Sequence, residues 1–113
     1  MATEPSPTPA PRRLPVALMI EGKVATLVFS GALEARMLRP LEEQLADPRL
    51  RHARRWELET SELARIDLAC AYALLRAATT LPEPAELHIR GARRAVQRTL
   101  HAAGLDAVAT LEE

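Results

Sequence analysis

The sequence predicts an α/β fold: a mixed β-sheet of about four to five strands with helices packed mainly on one face. Three observations lead there. Extended apolar runs alternate along the chain with stretches whose apolar residues recur at helical spacing. Glycine and proline punctuate the boundaries between them. In one extended run, Trp56, Leu58 and Thr60 share one face while Glu57 and Glu59 share the other, so that strand has one side on a core and one side wet.

The elements follow in order. Residues 1–13 alternate Pro5, Pro7, Pro9 and Pro11 with small polar residues. Such a segment buries too little apolar surface to offset its ordering entropy, so it is expected to be a disordered tail before a domain over 14–113. Val16, Leu18 and Ile20 alternate with Ala17, Met19 and Glu21. Gly22-Lys23 then turns the chain into the apolar run Val24 to Phe29, a hairpin that Ser30-Gly31 ends. A first helix is expected over about Ala32 to Ala46, with Leu33, Met37, Leu38, Leu41 and Leu45 on one face. Pro40 either kinks it or sits in the first turn of a helix that starts late. A third strand covers Trp56 to Thr60, and a short loop leads to a second helix after Ile66-Asp67. Ala71, Leu74, Leu75 and Ala78 make the inner face of that helix, which Leu81-Pro82-Glu83-Pro84 stops. Leu87 and Ile89 mark a fourth strand. Beyond Gly91, Val96, Leu100 and Ala103 mark a third helix, with Gly104 as its C-terminal cap. Val108 to Leu111 forms a last short strand, giving the order β-β-α-β-α-β-α-β.

Composition narrows the function. The chain has 113 residues, room for one domain, and a formal net charge of +0. Phosphate neutralisation supplies most of the affinity of nucleic-acid binders, and the basic excess it requires is missing, so no nucleic-acid partner is expected. No run approaches the roughly 20 apolar residues of a membrane helix, so no direct membrane insertion is expected. The single cysteine, Cys70, allows no internal disulfide and fits a cytoplasmic location. His52, His88 and His101 show no metal-ligand spacing, and no phosphate loop, dinucleotide fingerprint or nucleophile elbow is present. No cofactor and no enzymatic activity are expected. Arg49, Arg51, Arg54 and Arg55 form a basic cluster, read as a solvated loop in preference to a surface for an acidic partner or lipid headgroups.

The segment from Trp56 to Leu75 carries the most information. An alternating strand leads to Asp67, whose carboxylate is placed to cap the second helix and complement its dipole. With Leu58-Glu59-Thr60-Ser61 as the strand end and Ile66-Asp67 as the hydrophobic-Asp step, the stretch resembles the STAS domain of bacterial anti-sigma-factor antagonists. Gly31-Ala32-Leu33 and the run Val96 to Asp106 are similar to two further stretches of that family, so the resemblance spans about 16–111. It implies a protein-binding regulatory module whose partner is a GHKL-type anti-sigma kinase. Where the family's signalling members carry a DSSG motif with a phosphorylatable serine, this chain has Asp67, Leu68, Ala69 and Cys70. With no hydroxyl at either serine position, a phosphoryl switch there is chemically impossible. Cys70, in a first helical turn, is a small filler residue or a thiol of lowered pKa. If the second helix packs as its stripe predicts, Ala69, Tyr72, Ala73 and Arg76 face outward. The expected partner surface is therefore Asp67, Leu68, Ala69, Cys70, Tyr72, Ala73 and Arg76. The resemblance also admits an accessory subunit of a phospholipid-transporting ABC system, bound to a transporter ATPase and needing no phosphoserine. A small-ligand sensor is the third reading.

Overall fold

A computed structural model describes residues 16–112. The proline-rich segment 1–13 and the two limits of the domain expected over 14–113 lie outside the described residues. The hairpin forms as expected. Strand β1 (Val16–Glu21) pairs antiparallel with β2 (Val24–Leu33) from Val16↔Phe29 to Glu21↔Val24. The two-residue turn between them is possible because Gly22 takes a φ of 61°.

Strand β2 does not end at Ser30-Gly31. It runs on to Leu33, with register shifts between Val28 and Ser30 and between Gly31 and Ala32. An irregular strand that passes through a glycine at φ 75° hides its continuation, because local pattern reads that glycine as a stop. The first helix consequently starts late. A 3-10 turn (Ala35–Met37) leads into α1 (Leu38–Leu45), and Pro40 falls in its first turn, where its missing N–H costs no helical hydrogen bond. A short helix α2 (Pro48–Arg51) follows. The Asp47 carboxylate caps it, accepting from the Arg49 amide at 2.9 Å. Arg49 and Arg51 are therefore helical, not part of a loop.

Strand β3 (Arg55–Ile66) is more than twice as long as its alternating stretch suggests. Its first half pairs parallel with β4 (Glu86–Arg90), while its second half pairs only with the extended end of β2, up to Leu33↔Ile66. After α3 (Leu68–Thr79) and β4 come α4 (Arg94–Ala103), a 3-10 turn and β5 (Ala109–Glu112). Gly104 caps α4 in the left-handed conformation, as expected. The sheet order is β1-β2-β3-β4-β5, parallel from β2 onward. Successive crossovers of one hand place all the helices on one face. That face carries the core, with Leu27, Phe29, Trp56, Leu58 and Ile89 almost fully buried beneath Leu41, Leu74, Val96 and Leu100. The opposite face of β3–β5 is a lattice of charges, Arg55 and Arg90 around Glu57, and His88 and Arg90 around Glu112. Among the described residues no helix is long and apolar enough to cross a membrane.

Candidate functional site

The end of β3, the start of α3 and the 3-10 turn after β2 meet at the carboxyl end of the parallel strands. This junction follows from the long β2–β3 pairing. The Asp67 amide donates to the Leu33 carbonyl at 2.8 Å as the ladder's last rung. The Asp67 carbonyl then accepts from the amides of Cys70 and Ala71 at 3.0 and 3.1 Å, which starts α3.

Asp67 occupies the N-cap position, but its side chain does not cap its own helix. Oδ2 accepts instead from the Ala35 amide at 2.7 Å. This corrects the expectation of a local cap. The ladder brings Ala35, first residue of the 3-10 turn, beside Asp67, and that turn has an orphan amide of its own to satisfy. Two further contacts fix the same turn to α3 and β3. The Cys70 thiol donates to the Glu34 carbonyl at 3.4 Å, and the Glu34 carboxylate lies 2.8 Å from both Arg36 and Arg65. The Arg36 guanidinium, aided by Arg65, holds the Glu34 carboxyl below its ordinary pKa.

Cys70 is fully buried, and burial, reinforced by Asp67 and Glu42, pushes its thiol pKa up. A thiol held protonated is a filler and a weak donor, not a nucleophile. Ala73, expected to face outward, is only 3% exposed. The reason is that α3 packs against α1 and α4 as well as the sheet, so its buried arc (Cys70, Ala71, Ala73, Leu74 and Ala78) is wider than one stripe. Leu75, expected inside, is partly exposed. What remains outward is a line of side chains four residues apart: Leu68 at 43% exposure, Tyr72 at 40%, and Arg76. Ala69 lies beside them, half-buried. Arg76 pairs with Glu42 of α1 at 3.0 Å in open solvent.

The nearby hydroxyls differ in access. Thr60 is buried and donates to the Arg90 carbonyl at 2.7 Å, whereas Ser61 is exposed. Among the described residues no group of three His, Cys, Asp or Glu side chains is arranged to hold a metal ion. Sequence reasoning missed Glu34, Ala35, Arg36 and Arg65. Their partners lie 31 to 36 residues away wherever they reach α3 or β3, so only the Gly31-Ala32-Leu33 stretch hints at the junction.

Comparison with known proteins accords with this geometry. Residues 16–112 match the family described as "Mlab, STAS domain". An anti-sigma factor antagonist from Mycobacterium paratuberculosis superposes with a TM-score of 0.74 at 16% identity, covering 91% of this chain and 88% of its own. An anti-sigma factor antagonist by description from Thermotoga maritima gives 0.69 at 13% identity, covering 87% and 86%. The antagonist SpoIIAA in its unphosphorylated form gives 0.62 at 8% identity, with the same coverages of 87% and 86%. No curated protein matches the chain. At these identities the solved structures establish a shared fold.

Proposed function

The chain belongs to the STAS domain family, and from that premise we propose that it is a non-catalytic, cytoplasmic regulatory module of the anti-sigma-factor-antagonist type. It binds a protein partner of the GHKL-type kinase class through the outward face at the start of α3. The observation that carries this reading is the line Leu68–Tyr72–Arg76, two large apolar side chains and a guanidinium left exposed on a helix start that Asp67, Cys70 and Glu34 hold in place. Tyrosine and arginine are the residue types that anchor interfaces, and a rigid platform lowers the ordering cost of binding. Asp67 positions this surface, while Cys70 and Ala73 support it from beneath. With leucine and alanine at positions 68 and 69, binding is constitutive and controlled by the abundance of the two partners.

A second reading makes the protein an accessory subunit bound to the ATPase of a phospholipid-transporting ABC system. The missing hydroxyls favour it, since such an assembly needs no phosphoserine. One experiment separates the two: affinity capture of the tagged full-length chain with bound proteins identified by mass spectrometry, run beside Ala69→Arg and Tyr72→Ala. The first reading expects a soluble histidine-kinase-like ATPase, lost with Ala69→Arg and weakened at least about tenfold by Tyr72→Ala, in line with a hot spot of roughly 2 kcal/mol. A Walker-type transporter ATPase would establish the second reading. Capture that both substitutions leave unchanged would remove α3 from the interface.

A further inference from the structure

Two cavities at the opposite end of the molecule meet at one residue, Arg51. The first is a groove of about 530 Å³ between α1, α2 and the second half of α3. Leu45, Leu50 and Ala73 floor it, and Ala77, Leu81 and Pro82 wall it. The Glu42–Arg76 ion pair borders it towards the start of α3 and is neutral in itself. The second is a polar cleft of about 440 Å³ at the amino ends of the parallel strands, lined by Lys23, Arg51, His52 and Arg54, with Glu83 and Glu86 opposite. The cleft is tied together by backbone: the Arg54 amide donates to the Lys23 carbonyl at 2.7 Å, and the Glu86 amide to the Arg54 carbonyl at 2.8 Å.

We propose that the two cavities form one site for a single-chain anionic amphiphile, its alkyl chain in the groove and its phosphate or carboxylate against Arg51, Arg54 and Lys23. The volumes fall in the range of small-ligand sites, roughly 300–1,000 Å³, and an apolar pocket with a few convergent polar groups at one end is the usual form of such sites. Charge fixes the orientation. Arg49 and Arg55, the neighbours of these cations, are each taken by a carboxylate at 2.8 and 2.9 Å, and Asp47 at the groove's rim is the one that holds Arg49. Among the described residues Lys23, Arg51 and Arg54 have no such partner, although Glu83 and Glu86 lie in the same cleft and Glu86 stands 3.4 Å from His88. Arg51 therefore stands where the apolar groove opens into a cleft that adds Lys23 and Arg54 against Glu83 and Glu86, while the Glu42–Arg76 pair at the groove's border is self-neutralised. A neutral chain would leave these cations unanswered, and a bare anion would leave the groove unfilled. Leu68, Ala69 and Tyr72 lie outside both cavities, so this site adjoins the proposed partner face at Ala73 and Arg76 and leaves the start of α3 free.

The test is calorimetric titration of the full-length chain with dodecyl phosphate below its micelle concentration, beside decyl phosphate, dodecanol and inorganic phosphate. Dodecyl phosphate should bind one to one. Decyl phosphate should bind roughly tenfold more weakly, as expected for two fewer buried methylenes. Dodecanol and inorganic phosphate should each bind at least tenfold more weakly than dodecyl phosphate. Arg51→Glu, at an exposed position, should weaken dodecyl phosphate at least tenfold while leaving the melting temperature unchanged, and Ala77→Phe, which fills the groove, should abolish binding. Circular dichroism verifies that both variants fold. Equal binding of inorganic phosphate, equal binding of dodecanol, or dodecyl phosphate binding that survives both substitutions in folded protein would overturn the proposal. So would an acidic amphipathic peptide that binds more tightly than dodecyl phosphate and is lost in the same variants, which would assign the surface to a protein.

Discussion

Replacing Asp67 with serine separates two accounts of the same carboxylate. Serine is among the best helix N-caps, so if Asp67 stabilised α3 from its own N-terminus, Asp67→Ser would be nearly neutral. The carboxylate is instead bonded to the Ala35 amide 32 residues away, at 2.7 Å. A serine hydroxyl, one bond closer to the backbone, falls short of that amide. A hydrogen bond to a charged acceptor contributes about 1.5–3 kcal/mol, and solvent screening at this exposed bond discounts that to about 1–2 kcal/mol. With a urea m-value of roughly 1 kcal/mol/M for a small domain, the denaturation midpoint should fall by about 1–2 M at constant m. Asp67→Asn, which keeps an acceptor oxygen and loses the charge, should cost about half as much. Hydrogen exchange reads the bond itself: the Ala35 amide should exchange roughly tenfold faster in Asp67→Ser, since about 1.4 kcal/mol corresponds to a factor of ten. Asp67→Ser with the parent's midpoint and unchanged Ala35 exchange would refute the reasoning and restore the local cap.

Three further outcomes are expected. Gly91→Ala combines a left-handed φ of 71° with a Cβ that would stand 2.8 Å from the Ser61 Cβ and 3.2 Å from its Cα. It should lower stability by about 2–4 kcal/mol in chemical denaturation, against about 1–2 kcal/mol for Gly22→Ala, whose φ is also positive but whose surroundings are open. The Asp106 carboxylate, chiefly by its hydrogen bond to His101 Nδ1, raises the pKa of that imidazole. The stabilisation is thus fully present below the ordinary histidine range and lost as pH rises through the raised value, so the melting temperature should fall slightly across that window and Asp106→Asn should flatten the fall. Ala69→Glu adds a carboxylate in the first turn of α3, where the helix dipole tolerates it, so the melting temperature should hold within about 2 °C while binding to the captured partner falls at least tenfold through desolvation of the new charge.

Most of the fold was legible because its signals are local. The alternation from Trp56 to Thr60, the turn at Gly22-Lys23, the inner stripe Val96–Leu100–Ala103 and the cap at Gly104 each act within a few residues, and each stands where the pattern predicts. The errors share one origin. The second half of the β2–β3 ladder is irregular, passes through Gly31 and carries the exposed residues Ser61, Glu62, Ala64 and Arg65, so it shows neither period two nor an apolar run. With that ladder unseen, the first helix starts too early in the reading and Asp67 is given to its own helix. The outward place of Ala73 failed for another reason. A stripe of large residues reveals one buried face, whereas small residues on two sides admit two neighbouring helices, and alanine does not announce which.

On the proposed reading, the absence of hydroxyls at positions 68 and 69 and the anchoring of the helix start belong together. A phosphorylatable position must alternate between solvated charge and partner contact, and a segment that alternates gains from looseness. Here position 68 carries a leucine that is 43% exposed, beside a tyrosine one helical turn on. One exposed apolar residue is unremarkable on a protein surface, so Leu68 alone implies nothing. The pair, however, lies on the element whose first turn is tied to the preceding segment through the Asp67 carboxylate, the Cys70 thiol and the Glu34–Arg65 ion pair, a surface ordered before any partner arrives. Preordering strengthens binding chiefly by slowing dissociation. On the proposed reading, control comes through the concentrations of the two proteins or through a separate site such as the groove that meets Arg51.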